Sequence, residues 1–532
     1  MTAPVAEPPT ASITVSARPV KWGKVIDHTR CIGCHACTTA CKSENDVPLS
    51  VTRTYVKYVE TGRFPHARRA FQVTRCNQCD HAPCTTACPT TAMYRRRDGI
   101  VDFDKSICIG CKACIAACPY DAIFINPEDH AAEKCNVCAH RLDVGLEPAC
   151  VIVCPTEAIL VGDLNDPGSR VAQVVAGEPV AVRRPDKHTA PKLFYAGVTA
   201  ATLDPIAARR PGAGLFMWSE QGRFAQQVTS GRPDGWRPSS AEALLSYDVP
   251  HSAPWGWAVS VYTWTKAIAA GAYLVPLLAL WGGVLPARSP LWLWVAPLLA
   301  AIFLAATGAL LIADLKHPER FYLIFTRPQW SSWLVRGAFI IAAYGAVLAL
   351  HLGAALRGAT ALQAALTVAG APLAVLTAVY TAYLFAQAKG RDFWQSPLLP
   401  GHFLLQAVLA GTASLLPLAA LLAPGLTAPL LWTLGASLLL QLGFVWAEAA
   451  LGHSTDHAQL AAHEMLSGRY RAITRLGLTL TVAALAACVA ALSTEGPAGA
   501  PWIGAAAAAF ALGGLLACEH AYVQAGQAVP LA

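Results

Sequence analysis

The stretch Cys108-Ile109-Gly110-Cys111-Lys112-Ala113-Cys114-Ile115-Ala116-Ala117-Cys118-Pro119 decides how this chain is read. Its C-x2-C-x2-C-x3-C spacing occurs a second time at Cys31, Cys34, Cys37 and Cys41. Two variants complete the pattern: Cys76, Cys79, Cys84 and Cys88 (C-x2-C-x4-C-x3-C-P), and Cys135, Cys138, Cys150 and Cys154 (C-x2-C-x11-C-x3-C-P). Sixteen of the 18 cysteines therefore fall in four quartets. In such runs three closely spaced thiolates grip three irons of a cubane, and the fourth Cys completes a neighbouring cluster. The spacing predicts four [4Fe–4S] clusters, and a chain of clusters is a wire for electrons.

Other readings of these cysteines fit poorly. Disulfides suit small secreted domains, whereas this chain opens without a signal peptide and repeats cubane triads. Zinc sites prefer two C-x2-C pairs set well apart, with no third Cys two residues on. The remaining two, Cys488 and Cys518, lie in apolar stretches and read as buried packing residues.

Composition changes near residue 255. Before it lie 28 of the 40 Lys+Arg and 25 of the 33 Asp+Glu; after it only 12 and 8 remain. Eight apolar stretches long enough to cross a bilayer follow, at approximately 258–283, 291–313, 333–356, 364–388, 401–423, 427–450, 472–493 and 501–524. Pro276, Pro297, Pro372 and Pro417 fall inside them, which membrane helices tolerate. The expected architecture is an α+β double-ferredoxin-like domain followed by an all-α polytopic membrane domain of eight helices. Its expected parts are a flexible N-terminus (1–21), a four-cluster domain (22–203), a connecting segment (204–254) and a membrane anchor (255–532). The net charge of +7 comes partly from juxtamembrane residues, and the chain lacks the stacking aromatics and basic stripe of a nucleic-acid binder.

An even number of spans puts the cysteine-rich domain and the C-terminus on one side. Loops on that side carry Lys316, Arg320, Arg327, Lys389, Arg391, Arg469 and Arg471, against only Arg288 and Arg357 on the other. The positive-inside rule then places the clusters on the cytoplasmic face of an inner membrane. Residues 1–20 carry neither an apolar signal core nor a twin-arginine pair, in keeping with that side.

The four cysteine runs resemble the four-cluster iron–sulfur subunit of molybdopterin oxidoreductases of the dimethyl sulfoxide and polysulfide reductase type. The resemblance covers roughly residues 22–200. It implies that Cys31, Cys34, Cys37 and Cys154 hold one cluster, and Cys41, Cys135, Cys138 and Cys150 its neighbour. It likewise implies Cys76, Cys79, Cys84 and Cys118 for a third, and Cys88, Cys108, Cys111 and Cys114 for the fourth. The second half resembles a polysulfide-reductase-type quinone-reactive anchor through Pro254-Trp255-Gly256-Trp257, Gly271-Ala272-Tyr273 and Asp314-Leu315-Lys316-His317-Pro318-Glu319-Arg320-Phe321. Such anchors are commonly two four-helix bundles without haem. In agreement, His351, His402, His453, His457 and His463 form no facing mid-helix pair in the predicted spans.

A quinone exchanges protons with its electrons, so ionisable residues in the spans are the candidates for its site or a proton relay. They are Lys266, about two turns into the first span; Glu448, near the cluster-side end of the sixth and a candidate partner for Lys266; and Asp314 with His317, after the second. His453 and Asp456 complete the set, with His457 one turn beyond His453 giving a weak His-x3-His metal pattern. The bland readings are a snorkelling Lys266, an Asp314 that orders its loop, and a polar interfacial helix around Asp456. Trp257, Tyr262 and Trp264 read as an interfacial aromatic belt. Similar polar loops after the second and sixth spans (Asp314 to Arg320, Glu448 to Arg471) hint at an internal repeat.

About 250 soluble residues occupied by clusters leave no room for a molybdopterin domain, so a molybdenum or tungsten catalytic subunit is the expected partner. Two alternatives stay open. One is a redox-driven ion translocator, for which the side opposite the clusters is poorly supplied: only Glu495 and Glu519 are acids near the spans, and Glu519, late in the eighth, lies toward the cluster side again. The other is an electron-transfer subunit of a membrane-bound hydrogenase.

Overall fold

A computed structural model of the protein describes residues 19–211, 228, 230–233, 236, 243–493 and 501–532. The expected flexible N-terminus lies, for residues 1–18, outside the described residues, as does Glu495.

Each cysteine run folds around one helical turn. The third Cys of every run sits on a short helix: Cys37 on Ala36–Glu44, Cys84 on Pro83–Ala87, Cys114 on Ala113–Ala117 and Cys150 on Ala149–Ile152. The x3 spacing then carries the fourth Cys about one turn onward, away from its three predecessors. In the two C-x2-C-x2-C runs the backbone turns sharply at matched positions, Gly33 and Gly110 (φ 70° and 66°) and His35 and Lys112 (φ 61° and 64°). These left-handed residues curl the loop so that its thiols converge.

Strands hold the runs in place: β1 Trp22–Asp27, β2 Thr54–Thr61, β3 Arg68–Arg75, β4 Met93–Arg95, β5 Val101–Phe103, β6 Ile123–Ile125, β7 Ala132–Lys134, β8 Ile159–Asp163, β9 Val180–Ala181, β10 Leu193–Ala196 and β11 Leu244–Tyr247. The largest sheet has order β8-β1-β10-β9, with β1 antiparallel to β8 and parallel to β10. A second has order β11-β2-β3, and β4-β5 and β6-β7 are hairpins between successive runs. Strand β11 belongs to the segment read as a connection; it pairs with β2 through Leu245↔Val59 and so is part of the cluster domain.

Among the described residues the membrane domain has eight helices long and apolar enough to cross a membrane, whose ends fall within about one turn of those expected: α1 Trp257–Trp281, α2 Leu291–Ala313, α3 Trp333–Leu356, α4 Thr360–Gln387, α5 Leu399–Leu422, α6 Pro424–Glu448, α7 Arg471–Ser493 and α8 Pro501–Gln527. Pro297 follows a π-helical first turn of α2, Leu291–Val295, where the wider turn removes the clash a proline makes in a regular helix. Helices α1–α4 and α5–α8 pack as two bundles joined along α1 and α5. At that crossing Gly271 and Gly411 meet backbone to backbone: a Cβ on Gly271 would lie 1.8 Å from the Ala407 carbonyl oxygen. Small residues permit this approach, as is usual between membrane helices, where lipid offers no hydrophobic drive for association.

The two halves are bound by a dense polar seam. Asp392, before α5, holds Arg184 at 3.0 Å, Lys187 and the Thr455 hydroxyl at 2.8 Å. Lys57 and Arg183, both buried, donate to the carbonyls of Ala532 and Leu531 at 2.8 and 2.6 Å. Ser332 and Gln329, ahead of α3, bond the carbonyls of Ala87 and Thr85.

Replacing Gly271 by Leu should force α1 and α5 apart and cost about 3 kcal/mol. A thermal melt in detergent checks this, and an unchanged midpoint would remove the crossing from the supports of the fold.

Candidate functional site

The thiols gather in groups. Cys31 lies in electrostatic reach of Cys34 and Cys154; Cys41 of Cys135, Cys138 and Cys150; Cys84 of Cys76, Cys79 and Cys118. Cys114 lies in reach of Cys111, Cys108 and Cys88, and one cavity is lined by all four of these residues. Cys37 feels both Cys31 and Cys150, which places it between the first two groups. Backbone N–H groups point at several sulfurs, from Met93 to Cys88 (3.4 Å), Ala132 to Cys108 (3.4 Å) and Ala158 to Cys154 (3.3 Å). Donor sets of thiols with amide hydrogen bonds fit iron–sulfur cubanes, whose sulfurs accept such bonds. Burial opposes ionisation of Cys135, yet Lys24 and Arg75 bring its thiol down to about 6.

The groups differ in exposure. Cys34 is exposed and Cys31 and Cys154 are half-buried, so the first group lies at the protein surface. The group around Cys108 and Cys111 instead sits on the membrane domain. Arg320 donates to the carbonyls of Lys105 and Cys108, both at 3.0 Å, and the Trp255 indole N–H donates to the Cys111 carbonyl at 3.2 Å. Gly110 lies against Lys316, whose Cβ would be 2.4 Å from any Cβ placed there.

Asp314 and His317 belong to this docking loop. Asp314 pairs with Lys112 at 2.9 Å, and the His317 ring bonds the Asp129 carbonyl at 2.8 Å. The structure therefore does not gather them with Lys266. The loop is polar because it replaces water against the carbonyls of a cysteine run. Asp456 is also apart: it starts the helix Asp456–Leu466 with its side chain exposed. His453 precedes that helix while His457 lies within it, so the His-x3-His pair does not share a helical face.

Lys266 is fully buried. Its ammonium donates to the Ala378 carbonyl and the Thr381 hydroxyl, both at 2.8 Å, and lies 4.3 Å from the centre of the Phe403 ring. The carboxylate acting on it is that of Glu519, on α8, and not that of Glu448. Glu519 accepts a hydrogen bond from the Gln406 amide and lies beside the Thr263 hydroxyl. From Gln406 the polar row continues to His402 (3.2 Å) and Gln441 (3.0 Å). Lys266 and Gln406 each lie five residues before the crossing glycine of their helix, matched positions that agree with an internal repeat.

Glu519, Gln406, His402 and Gln441 line a cleft in the second bundle, together with Phe444, Glu448 and Tyr522. Glu448 and His453 stand together, the imidazole Nε2 3.1 Å from the Glu448 carbonyl and 3.8 Å from its carboxylate. His402 stacks on Phe444 with ring centres 4.6 Å apart. Sequence reasoning singles out Lys266, Glu448 and His453 but misses Glu519, Gln406, His402 and Gln441 as one assembly. The available signal was an acid in the apolar eighth span, facing the depth of Lys266.

Comparison with known proteins agrees with this division. The family model of the 4Fe-4S dicluster domain matches residues 68–164, and that of "Polysulphide reductase, NrfD" matches residues 247–530. The second match covers more than half of the 532 residues, and this protein belongs to that family. The cluster half is similar to the B subunit of the tetrathionate reductase of Salmonella typhimurium, 40% identical over 204 residues (38% of this chain, 80% of the relative). It is also similar to the B subunit of the polysulfide reductase of Wolinella succinogenes, 45% identical over 177 residues (33% and 93%). Protein NrfC of Escherichia coli is a further relative, 42% identical over 184 residues (34% and 82%). The molecule is thus an iron–sulfur protein fused to a multi-pass membrane domain.

A buried histidine ties these halves together. Burial opposes a charge on His251, but Asp248 and Asp121, three residues beyond Cys118, override it and push its pKa up to about 10. A folded value above the ordinary 6.5 means that this contribution is whole below pH 6.5 and lost as pH rises through about 10. Stability should fall across that window in denaturant melts, and His251→Gln should flatten the fall; parallel curves for the two proteins would refute the assignment.

Proposed function

We propose that this protein is the electron-transfer and membrane-anchor subunit of an oxidoreductase complex, linking a quinone pool to a separate molybdopterin catalytic subunit. The carrying observation is the polarity of the thiol array: one group reaches the surface at Cys34, and the group at the other end is clamped onto the membrane domain by Arg320 and Trp255. The four sets implied by the resemblance are the ligands of four [4Fe–4S] clusters. When bound, these clusters supply one-electron transfer. The relatives' roles as reductase subunits support a catalytic partner docked at the exposed end.

The second-bundle cleft takes the quinone headgroup. His402 and Gln441 offer hydrogen bonds to its oxygens, Phe444 and Tyr522 offer ring faces, and Glu519, in electrostatic reach of Lys266 behind it, completes the lining. Glu448 and His453 exchange protons between the cleft and the cluster-side water. Oxidising a quinol releases two electrons and two protons, so a site of this kind needs both outlets. The basic loops around Lys316, Arg320 and Arg469 support an inner membrane with the cluster domain on the cytoplasmic side.

A redox-driven proton translocator is the second reading, favoured by one group in the far half of the first bundle. There His351 is buried beside Tyr273 (3.3 Å), and among the described residues its Nε2 has no hydrogen-bond partner.

Lys266→Met and Glu519→Gln should leave the cluster spectra unchanged and abolish reduction of the clusters by added quinol. Undiminished quinol reduction in both would remove this pair from the site. Gentle purification through a tag on this protein should bring down molybdenum or tungsten with a large partner, and about sixteen irons per chain, the number in four cubanes. Nickel in their place would make the complex a hydrogenase.

A further inference from the structure

Buried positive charge is spread unevenly over the thiol groups. Lys24 and Arg75 are each only 2% exposed. The Lys24 ammonium donates to the Cys135 sulfur at 3.2 Å and to the Cys76 carbonyl at 3.3 Å. The Arg75 guanidinium donates to the Cys150 sulfur at 3.0 Å, and among the described residues its Nε and Nη2 have no hydrogen-bond partner. Among the described residues neither cation pairs with a carboxylate. The Asn45 amide adds contacts to the Cys41 and Cys138 sulfurs at 3.8 and 3.7 Å. Every sulfur of the group Cys41, Cys135, Cys138 and Cys150 therefore faces a side-chain N–H.

The other groups are served differently. In the group of Cys88, Cys108, Cys111 and Cys114 the nearby cation is Lys112, and Asp314 neutralises it. Beside Cys84 the cation is Lys134, whose bonds go to the carbonyls of Val101 and Cys135 and not to sulfur. In the surface group Arg75 acts on Cys37 through its charge alone, and hydrogen bonds to sulfur come from the Ala158 amide and, at 3.9 Å, the Thr156 hydroxyl. Of the further buried cations in this domain, Arg53 pairs with Glu133 at 2.5 Å and Lys192 with Asp80 at 2.9 Å, while Lys57 and Arg183 bond the carbonyls of Ala532 and Leu531, away from the thiols.

Adding an electron to a cluster makes it more negative. Uncompensated cations and N–H···S bonds favour that reduced form, and weak screening in the interior enlarges the effect. We propose that Lys24 and Arg75 set the potential order of the wire, giving the cluster on Cys41, Cys135, Cys138 and Cys150 the highest reduction potential of the four. They are positioning residues of the electron path: they hold a reducing equivalent at the second station from the surface. The inference rests on the ligand sets proposed above and is independent of quinone and of the partner's substrate.

The test is an EPR-monitored redox titration of the full chain in detergent, with dithionite supplying one electron per cluster. Arg75→Gln keeps a donor but removes the charge, and Lys24→Met removes both. Each should shift the highest-potential step downward by clearly more than any of the other three, while Arg75→Lys should hold it near the native value. A highest step unmoved in both charge-removing variants, or four steps moving together, overturns the inference. Native protein with iron short of four clusters overturns instead the ligand sets on which it rests. Should Lys24→Met lose iron, Arg75→Gln and Arg75→Lys still decide the matter.

Discussion

The carbonyls of a cysteine run cannot be buried against a membrane domain without partners, because an unpaired buried acceptor costs about 1–3 kcal/mol. That requirement shapes the middle of this molecule. Arg320 satisfies Lys105 and Cys108, Trp255 satisfies Cys111, and the backbone of Lys316 and His317 bonds Gly110 and Ile109. Lys112, which would otherwise be a buried cation beside the thiols, is balanced by Asp314. The loop after α2 is therefore polar for a structural reason, and it sets how far the last thiol group lies from the bilayer.

Once that group is seated, the rest of the path follows from packing. Trp255 is gripped by Gln527 on both sides, its N–H bonding Oε1 at 3.1 Å and its carbonyl receiving Nε2 at 2.6 Å. Its ring stacks near Trp394 and Phe385, which fill the space between the cysteine run and the cleft. Gly526 makes room for Trp394, since a Cβ there would lie 2.1 Å from the indole nitrogen. Tyr522, beside Phe393 in the same core, lines the cleft.

The membrane domain holds its ionisable groups in a different way. Lys266 and Glu519 are both buried, where a lone charge is far more costly than in water. Carbonyl, hydroxyl and ring contacts around Lys266 and the Gln406 amide on Glu519 offset that cost.

The cysteine spacing and the loss of charge after residue 255 carried the iron–sulfur class, the two-part organisation and the eight spans, because ligand geometry and bilayer thickness each impose a fixed sequence period. Lys266 was legible as well, since a charge in an apolar helix stands out. Its partner was not: Glu519 lies over 250 residues away on α8, and Glu448 looked equally able to reach it. Nor could spacing show that Asp314 and His317 serve docking, or that Lys24 and Arg75 converge on one thiol group from two different sheets. Those choices depend on which helices cross at Gly271 and Gly411 and on how β1 and β3 lie over the cysteine runs. Such long-range contacts come from packing, and no local period in the sequence encodes them.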